Sequence, residues 1–140
     1  MHRFMLDSSL CIGLLRDRPT ELRERFNQEA DGLCLSTIVL MELLHGAAKS
    51  ARPMHNRREV ETFVARLDVL PFDANAAAHA ADIRTVLERL GRPIGGYDLQ
   101  IAGHARSRGL TVVTGNLREF RRVEGLRSED WLAGAGERPG

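Results

Sequence analysis

The sequence has few of the features that mark secreted, zinc-binding or membrane-spanning proteins. Its two cysteines, Cys11 and Cys34, lie inside apolar runs and lack the spacing of a zinc site. We therefore expect buried free thiols rather than a disulfide. No apolar stretch approaches the roughly 20 residues that cross a bilayer, and the N-terminus lacks a signal-peptide pattern. These absences predict a cytoplasmic protein without membrane contact.

Aromatic residues and excess charge are also scarce. Only 5% of the residues are aromatic, with one tryptophan and one tyrosine, so no platform for stacking nucleobases is evident. Twenty basic residues against nineteen acidic ones give a formal net charge of +1. This balance neither requires nor excludes nucleic acid, because binding depends on where charges cluster.

Short apolar runs alternate with amphipathic segments along the 140 residues. The runs predict strands at 4–6, 33–36, 69–72 and 110–114. The segments between them predict helices from Ser8 or Ser9 to Leu15, at 21–28, from Ser36 or Thr37 onward, at 57–67, at 74–90 after a capping Asp73, and at 97–108. The alternation predicts one α/β domain over residues 1–132, with a mostly parallel central sheet flanked by helices and a disordered tail at 133–140.

Three carboxylates interrupt the hydrophobic pattern. Asp7 ends the first strand, where it is equally a helix cap or a functional group. Glu42 is the only charge between Leu33 and Leu44, so it is either part of a site or the partner of a buried arginine. Asp98 lies in the first turn of its helix, on the face that points to the core. The Gly95-Gly96 pair before it permits close backbone approach.

Polar residues also follow the strand at 110–114. Asn116 and Glu119 come just past its C-terminal end, where an ordinary polar loop is the alternative interpretation. Several carboxylates in one crevice repel one another unless a cation lies among them. Oxygen ligands favour Mg²⁺ or Mn²⁺ over zinc, and such an ion suits phosphate chemistry. No P-loop and no Ser-His-Asp order is present.

Four motifs together resemble the PIN-domain ribonuclease toxins of the VapC family. They are FMLDSSLCIGLL, LSTIVLMELLHGAAKS, RPIGGYDLQIAGHARSRGLTVVTGNLREF and VEGLRSEDWL, and they span about residues 3–132 in the order that the family shows. The resemblance implies a PIN-domain fold and endoribonuclease activity that depends on Mg²⁺ or Mn²⁺. It also implies that Asp7 and Asp98 are the principal metal ligands. Glu42 and Glu119 would complete the acidic cluster directly or through water, and Asn116 would orient that cluster or the phosphate.

The same resemblance implies a substrate and partners. Water activated at the metal would attack phosphorus in line and leave a 3′-hydroxyl and a 5′-phosphate. The motifs are most similar to the enterobacterial branch, whose members cut initiator tRNA in the anticodon loop. A VapB antitoxin would silence the enzyme by placing its C-terminal segment in the groove. The chain would form a homodimer, and a larger complex with VapB.

Two motifs depart from the family pattern. The family usually reads LDTN where this chain has Leu6-Asp7-Ser8-Ser9, and TNN where it has Thr114-Gly115-Asn116. Ser8 keeps a hydroxyl in a supporting position, whereas Ser9 and Gly115 each lack a side-chain amide. These departures leave open a catalytically impaired PIN-like module that binds antitoxin or RNA. A phospho-accepting domain built on Asp73 is disfavoured, because the only lysine, Lys49, follows a helix.

Candidate RNA contacts are basic residues near these motifs. Arg92 and Arg118 are preferred because they flank the proposed site. Solvated charge is the alternative interpretation for every candidate, and the others are Arg16, Arg18, Lys49, Arg52, Arg121 and Arg122. His45 is expected at a polar helix edge and His104 in a structural role. Phe120 and Trp131 are expected to anchor the core.

Overall fold

The structure is a computed structural model that describes residues 1–16 and 20–131. Arg18 and the tail predicted at 133–140 lie outside these ranges. The strands are β1 (Phe4–Leu6), β2 (Leu33–Ser36), β3 (Asp68–Leu70), β4 (Thr111–Val113) and β5 (Ser128–Glu129). The helices are α1 (Ser8–Leu15), α2 (Thr20–Gln28), α3 (Thr37–Ala48), α4 (Pro53–Val64), α5 (Ala74–Arg89), α6 (Gly96–Ser107) and α7 (Leu117–Phe120).

The five strands form one parallel sheet in the order β3-β2-β1-β4-β5. In the central strand β1, Met5 pairs with Cys34 on one side and with Val112 on the other. Strands β1, β2 and β4 are buried along their whole length. The α/β prediction with a parallel sheet is confirmed. Because the strand order reverses beside β1, a crevice opens at the carboxyl ends of β1 and β4.

The hydrophobic core lies between this sheet and its helices. Cys11 and Cys34 are buried free thiols, as expected. Phe120 is fully buried, and Trp131 packs edge-on against Phe4 with ring centroids 5.2 Å apart. Both aromatic residues therefore anchor the core, and Trp131 holds the segment after β5 against β1. No helix in the described part of the chain is long and apolar enough to cross a membrane.

Helix α6 is held against α5 by an unusually close approach. A Cβ added at Gly103 would lie 2.6 Å from the backbone nitrogen of Ala80, so this position needs glycine. The turn after α6 also uses a glycine, since Gly109 has a φ of 67°. The close packing sets the position of α6 and thereby of Asp98 in its first turn.

Some predicted boundaries were wrong. The cap of α1 is Asp7, not Ser8 or Ser9, because the Asp7 carboxylate accepts from the Leu10 amide. Helix α4 occupies 53–64 instead of 57–67, since Pro53 suits a first helical turn. Strand β3 spans 68–70 instead of 69–72, because Pro71 has no N–H for the ladder. The two-residue strand β5 was not predicted.

Candidate active site

Asp7 lies at the carboxyl end of β1 with its side chain buried. Its Oδ1 accepts hydrogen bonds from the Leu10 amide at 3.0 Å and the Ser9 hydroxyl at 2.8 Å. Its Oδ2 accepts a short hydrogen bond from the Thr114 hydroxyl. Burial raises the pKa of Asp7, and these donors oppose the rise. The two interpretations of Asp7 are compatible, since one carboxylate both caps α1 and reaches the crevice.

Thr114 is a site residue that sequence reasoning missed. It follows β4, is fully buried, and its Oγ accepts from the Asn116 amide at 2.7 Å while donating to Asp7. The sequence feature that could have indicated it is a hydroxyl residue directly after a predicted strand, because a parallel sheet can place the end of that strand beside Asp7. The two departures also meet here, because the Gly115 amide donates to the Ser9 hydroxyl at 3.0 Å.

Asp98, Asn116 and Glu119 form a second group at the same edge. The Asn116 Nδ2 donates to Asp98 Oδ2 at 2.8 Å and, in a shorter contact, to Glu119 Oε2. Glu119 Oε1 accepts from the Gly95 amide at 2.8 Å. Burial, followed by the contact with Glu119, raises the pKa of Asp98 to about 7. The Gly95 N–H lowers the pKa of Glu119, so Glu119 holds the negative charge of this pair.

Glu42 points from α3 toward the same crevice. Its Oε2 accepts from the Ser8 hydroxyl at 3.4 Å, and its Oε1 is buried without a hydrogen-bond partner in the described ranges. Burial raises the pKa of Glu42, and the charge of Asp7 adds to the effect. No arginine of the described residues pairs with Glu42, so the interpretation as a buried salt bridge is not supported.

The RNA contacts expected of Arg92 and Arg118 stay a prediction. Arg92 and Arg118 are exposed, and neither makes a hydrogen bond to the cluster among the described residues. Arg122 is the arginine beside Glu119: its Nη1 donates to the Pro93 carbonyl at 2.9 Å, and its charge helps to lower the pKa of Glu119. Arg122 thus supports the segment that leads to α6.

The glycine pair before Asp98 is used differently from the expectation. A Cβ at Gly95 would lie 3.9 Å from Glu119 Oε1, an ordinary contact distance, and Gly96 faces open space. The contribution of Gly95 is its backbone N–H, which binds Glu119. His104 is buried with its Nδ1 2.9 Å from Ser36 Oγ, far along α6 from Asp98, in agreement with a structural role.

The donor set fits a hard divalent cation. Within residues 1–16 and 20–131, no three His, Cys, Asp or Glu side chains converge closely enough to enclose a metal ion. Mg²⁺ does not need such a cage, because it commonly binds one or two carboxylates and keeps several waters. The oxygen-only chemistry of Asp7 and Asp98 suits that mode, and among the described residues the buried Oε1 of Glu42 has no hydrogen-bond partner, so it is free to accept from a water of such an ion. Ribonucleases of the PIN-domain kind are in general metal-dependent.

Comparison with known proteins agrees with this geometry. The family model for the PIN domain matches residues 4–126. The tRNA(fMet)-specific endonuclease VapC of Shigella flexneri is 53% identical over 94% of this chain and 99% of its own length. Ribonuclease VapC2 of Haemophilus influenzae is 44% identical over 94% of this chain and all of its own.

Solved structures lead to the same family. The crystal structure of DNA-bound VapBC from Salmonella typhimurium contains a chain that is 53% identical, with a TM-score of 0.90. The match covers 94% of this chain and 99% of that one. A VapBC-1 structure from nontypeable Haemophilus influenzae has a TM-score of 0.83 at 34% identity, covering 91% and 97% of the two chains. The chain therefore belongs to the VapC family of PIN-domain ribonucleases.

Proposed function

We propose that this ribonuclease is the toxin of a VapBC system that cuts a tRNA with the help of Mg²⁺, or of Mn²⁺ in its place. The observation that supports the proposal is that Asp7, Glu42 and the Asp98–Asn116–Glu119 group lie around one crevice, where, after burial, the charge of Asp7 contributes to raising the pKa of both Glu42 and Asp98. A crevice at the carboxyl ends of parallel strands is where α/β enzymes bind their substrates.

In this proposal Asp7 and Asp98 hold the ion, which when bound would neutralise phosphoryl oxygens and lower the pKa of water. Three donors keep Asp7 in place, and Asn116 keeps Asp98 beside Glu119. Glu42 Oε1, which has no hydrogen-bond donor among the described residues, takes the proton of the attacking water. Burial raises the pKa of Glu42, which makes it a stronger base than an ordinary glutamate.

The substrate and the partner are proposed from the relatives. The Shigella protein is named for tRNA(fMet), and its 53% identity over nearly the whole chain supports initiator tRNA as the substrate. The Salmonella structure is a VapBC complex, which supports a VapB antitoxin as the partner. A homodimer stays a prediction. We propose the cytoplasm as the compartment, because tRNA is the substrate and both thiols are free.

The alternative, an impaired binding module, is less well supported. That alternative was considered because Ser9 and Gly115 each lack the side-chain amide that the family pattern has at their positions. Ser9 nevertheless donates to Asp7 Oδ1, and the Gly115 N–H donates to Ser9, so a hydroxyl and a backbone amide hold this corner. Asp7 therefore has three hydrogen-bond donors despite both departures.

Cleavage of purified initiator tRNA tests the proposal. We expect one discrete cut with Mg²⁺ or Mn²⁺ and none with chelator, and product ends that carry a 3′-hydroxyl and a 5′-phosphate. Asp98→Asn and Glu42→Gln should each lower the rate by about 100-fold or more, because the first weakens ion binding and the second removes the base.

The matched control is Asp31→Asn, an exposed aspartate outside the crevice. It should cut at the rate of the unaltered protein. Intact tRNA in every lane, from protein that unfolds cooperatively, would contradict tRNA as the substrate. Equal rates for Glu42→Gln and the unaltered protein would contradict the role of Glu42 as the base.

A further inference from the structure

A large open cleft leads away from the acidic cluster between α1, α3 and α4. Its volume is about 1160 Å³, and Ser8 and Glu42 belong both to its wall and to the cluster. An RNA strand whose phosphate reaches the acids therefore has space to continue along the cleft. The cleft is more than a pocket for one ion, because its far wall is formed by α4, at Asn56 and Val60.

Two cations line this cleft. Arg16 lies at the end of α1 and Lys49 at the end of α3, and both are exposed. Neither has an ion-pair partner among the residues that the structure describes. The other acid of the wall, Glu59, lies 3.6 Å from His55. The two cations are thus available to phosphate groups of a passing strand.

The cleft also presents an aromatic ring next to the acids. Tyr97 immediately precedes Asp98 and is 51% exposed. Among the large hydrophobic side chains that are exposed in the described ranges, it is the only aromatic one. Met41 and Ile12 add exposed apolar surface to the same wall. An exposed ring beside a phosphate-cleaving cluster suits the face of a nucleobase.

We infer that this cleft is the RNA subsite flanking the scissile phosphate, where Tyr97 stacks on a base while Arg16 and Lys49 contact backbone phosphates. The inference rests on the proposed function, RNA cleavage at the acids. The competing occupant is an amphipathic peptide segment, which the apolar part of the wall would also accept. The two cations and the continuity with the cluster favour RNA.

RNA binding without cleavage tests the role of Tyr97. Each variant is made in the Asp98→Asn background, and the dissociation constant for initiator tRNA is measured at fixed salt. Tyr97→Leu should weaken binding by about tenfold, because base–aromatic stacking is lost. Tyr97→Phe keeps the ring and should bind like its parent. Equal affinities for the Leu and Phe variants would overturn the stacking role.

The salt dependence of the same binding tests the cations. Arg16→Gln and Lys49→Gln should each reduce the slope of log K against log salt by about 0.7, the value for one contact to a single-stranded phosphate. Arg89→Gln, an exposed residue at the end of α5 and outside the cleft, should leave the slope unchanged. A slope that is unaltered in both cleft variants would overturn the phosphate contacts.

Failure of this inference is distinguishable from failure of the proposed function. If the unaltered protein cuts no tRNA with Mg²⁺, the proposed function fails whatever the binding data show. If it cuts tRNA while Tyr97→Leu binds tRNA normally, only the subsite fails. If Tyr97→Leu binds a VapB C-terminal peptide more weakly but binds tRNA normally, the cleft is a protein-docking groove and the RNA subsite is overturned.

Discussion

The two halves of the acidic cluster are built in opposite ways. Asp7 is buried at the end of the central strand, and its donors are a helix amide and two hydroxyls, all anchored to buried elements. Asp98 is half-buried and depends on one side-chain amide, that of Asn116, which lies in the segment between β4 and α7. The first half is part of the core, whereas the second half is assembled at its rim.

This difference separates stability from activity. A buried carboxylate that loses a donor keeps its desolvation cost, so changes around Asp7 should affect folding. A partly exposed carboxylate that loses its bridging amide can turn to solvent at little cost. Changes around Asp98 should therefore affect catalysis more than folding. Thr114 joins the halves, since its hydroxyl donates to Asp7 and accepts from the Asn116 amide.

Among the changes that test this comparison between the two halves, Asn116→Ala should have the largest effect. Loss of the amide frees Asp98 from Glu119, and supporting side chains of this kind contribute about 10- to 100-fold to activity. The initial rate of tRNA cleavage should fall by a factor within that range. The free energy of unfolding should stay close to that of the unaltered protein. Glu124→Gln, at an exposed position after α7, is the control. A variant that cuts at the normal rate would show that Asn116 does not position Asp98.

Thr114→Val should have the larger effect on folding. It keeps the shape of the side chain but leaves Asp7 Oδ2 without its donor, which should lower the free energy of unfolding by about 2 kcal/mol. Urea denaturation measures this change, and Thr114→Ser, which keeps the hydroxyl, should recover most of it. An unfolding free energy of Thr114→Val equal to that of the unaltered protein would contradict the view that the donors of Asp7 stabilise the fold.

The pH dependence of stability gives the smallest and most specific test. The pKa of Asp98 is about 7 in the folded protein against 3.8 for the ordinary side chain, so the folded state binds the proton more tightly. The stability from this proton is fully present below pH 3.8 and is lost as the pH rises through about 7. In chelator, the unfolding free energy of the unaltered protein should decline across this window more steeply than that of Asp98→Asn.

Equal slopes in the two proteins would contradict the raised pKa of Asp98. Glu119 acts in the opposite sense, because its lowered pKa adds stability that is lost as the pH falls. The Asp98→Asn variant should still lose unfolding free energy as the pH falls, because Glu119 is unchanged. One pH titration of stability therefore separates the effect of Asp98 from that of Glu119.

Much of this arrangement was predictable from local pattern. Short apolar runs predicted β1, β2 and β4, because buried strands must be apolar on both faces. Asp7, Glu42 and Asp98 were selected as charges that interrupt such patterns. The contributions of Thr114 and Gly95 were missed, because a hydroxyl and a backbone N–H are ordinary in sequence and become informative only beside a carboxylate. Strand β5 was missed since two residues carry no periodicity.

By itself the sequence determined the class of fold, the candidate acids and, through four ordered motifs, the family. Hydrophobic periodicity and motif spacing are local properties that the chain carries before it folds. Only the tertiary structure decided which donors hold each acid, that Arg122 rather than Arg92 or Arg118 lies at Glu119, and that Tyr97 stands in a cleft with Arg16 and Lys49. These relations join residues far apart in the chain, and they arise only when a parallel sheet brings its strand ends to one edge.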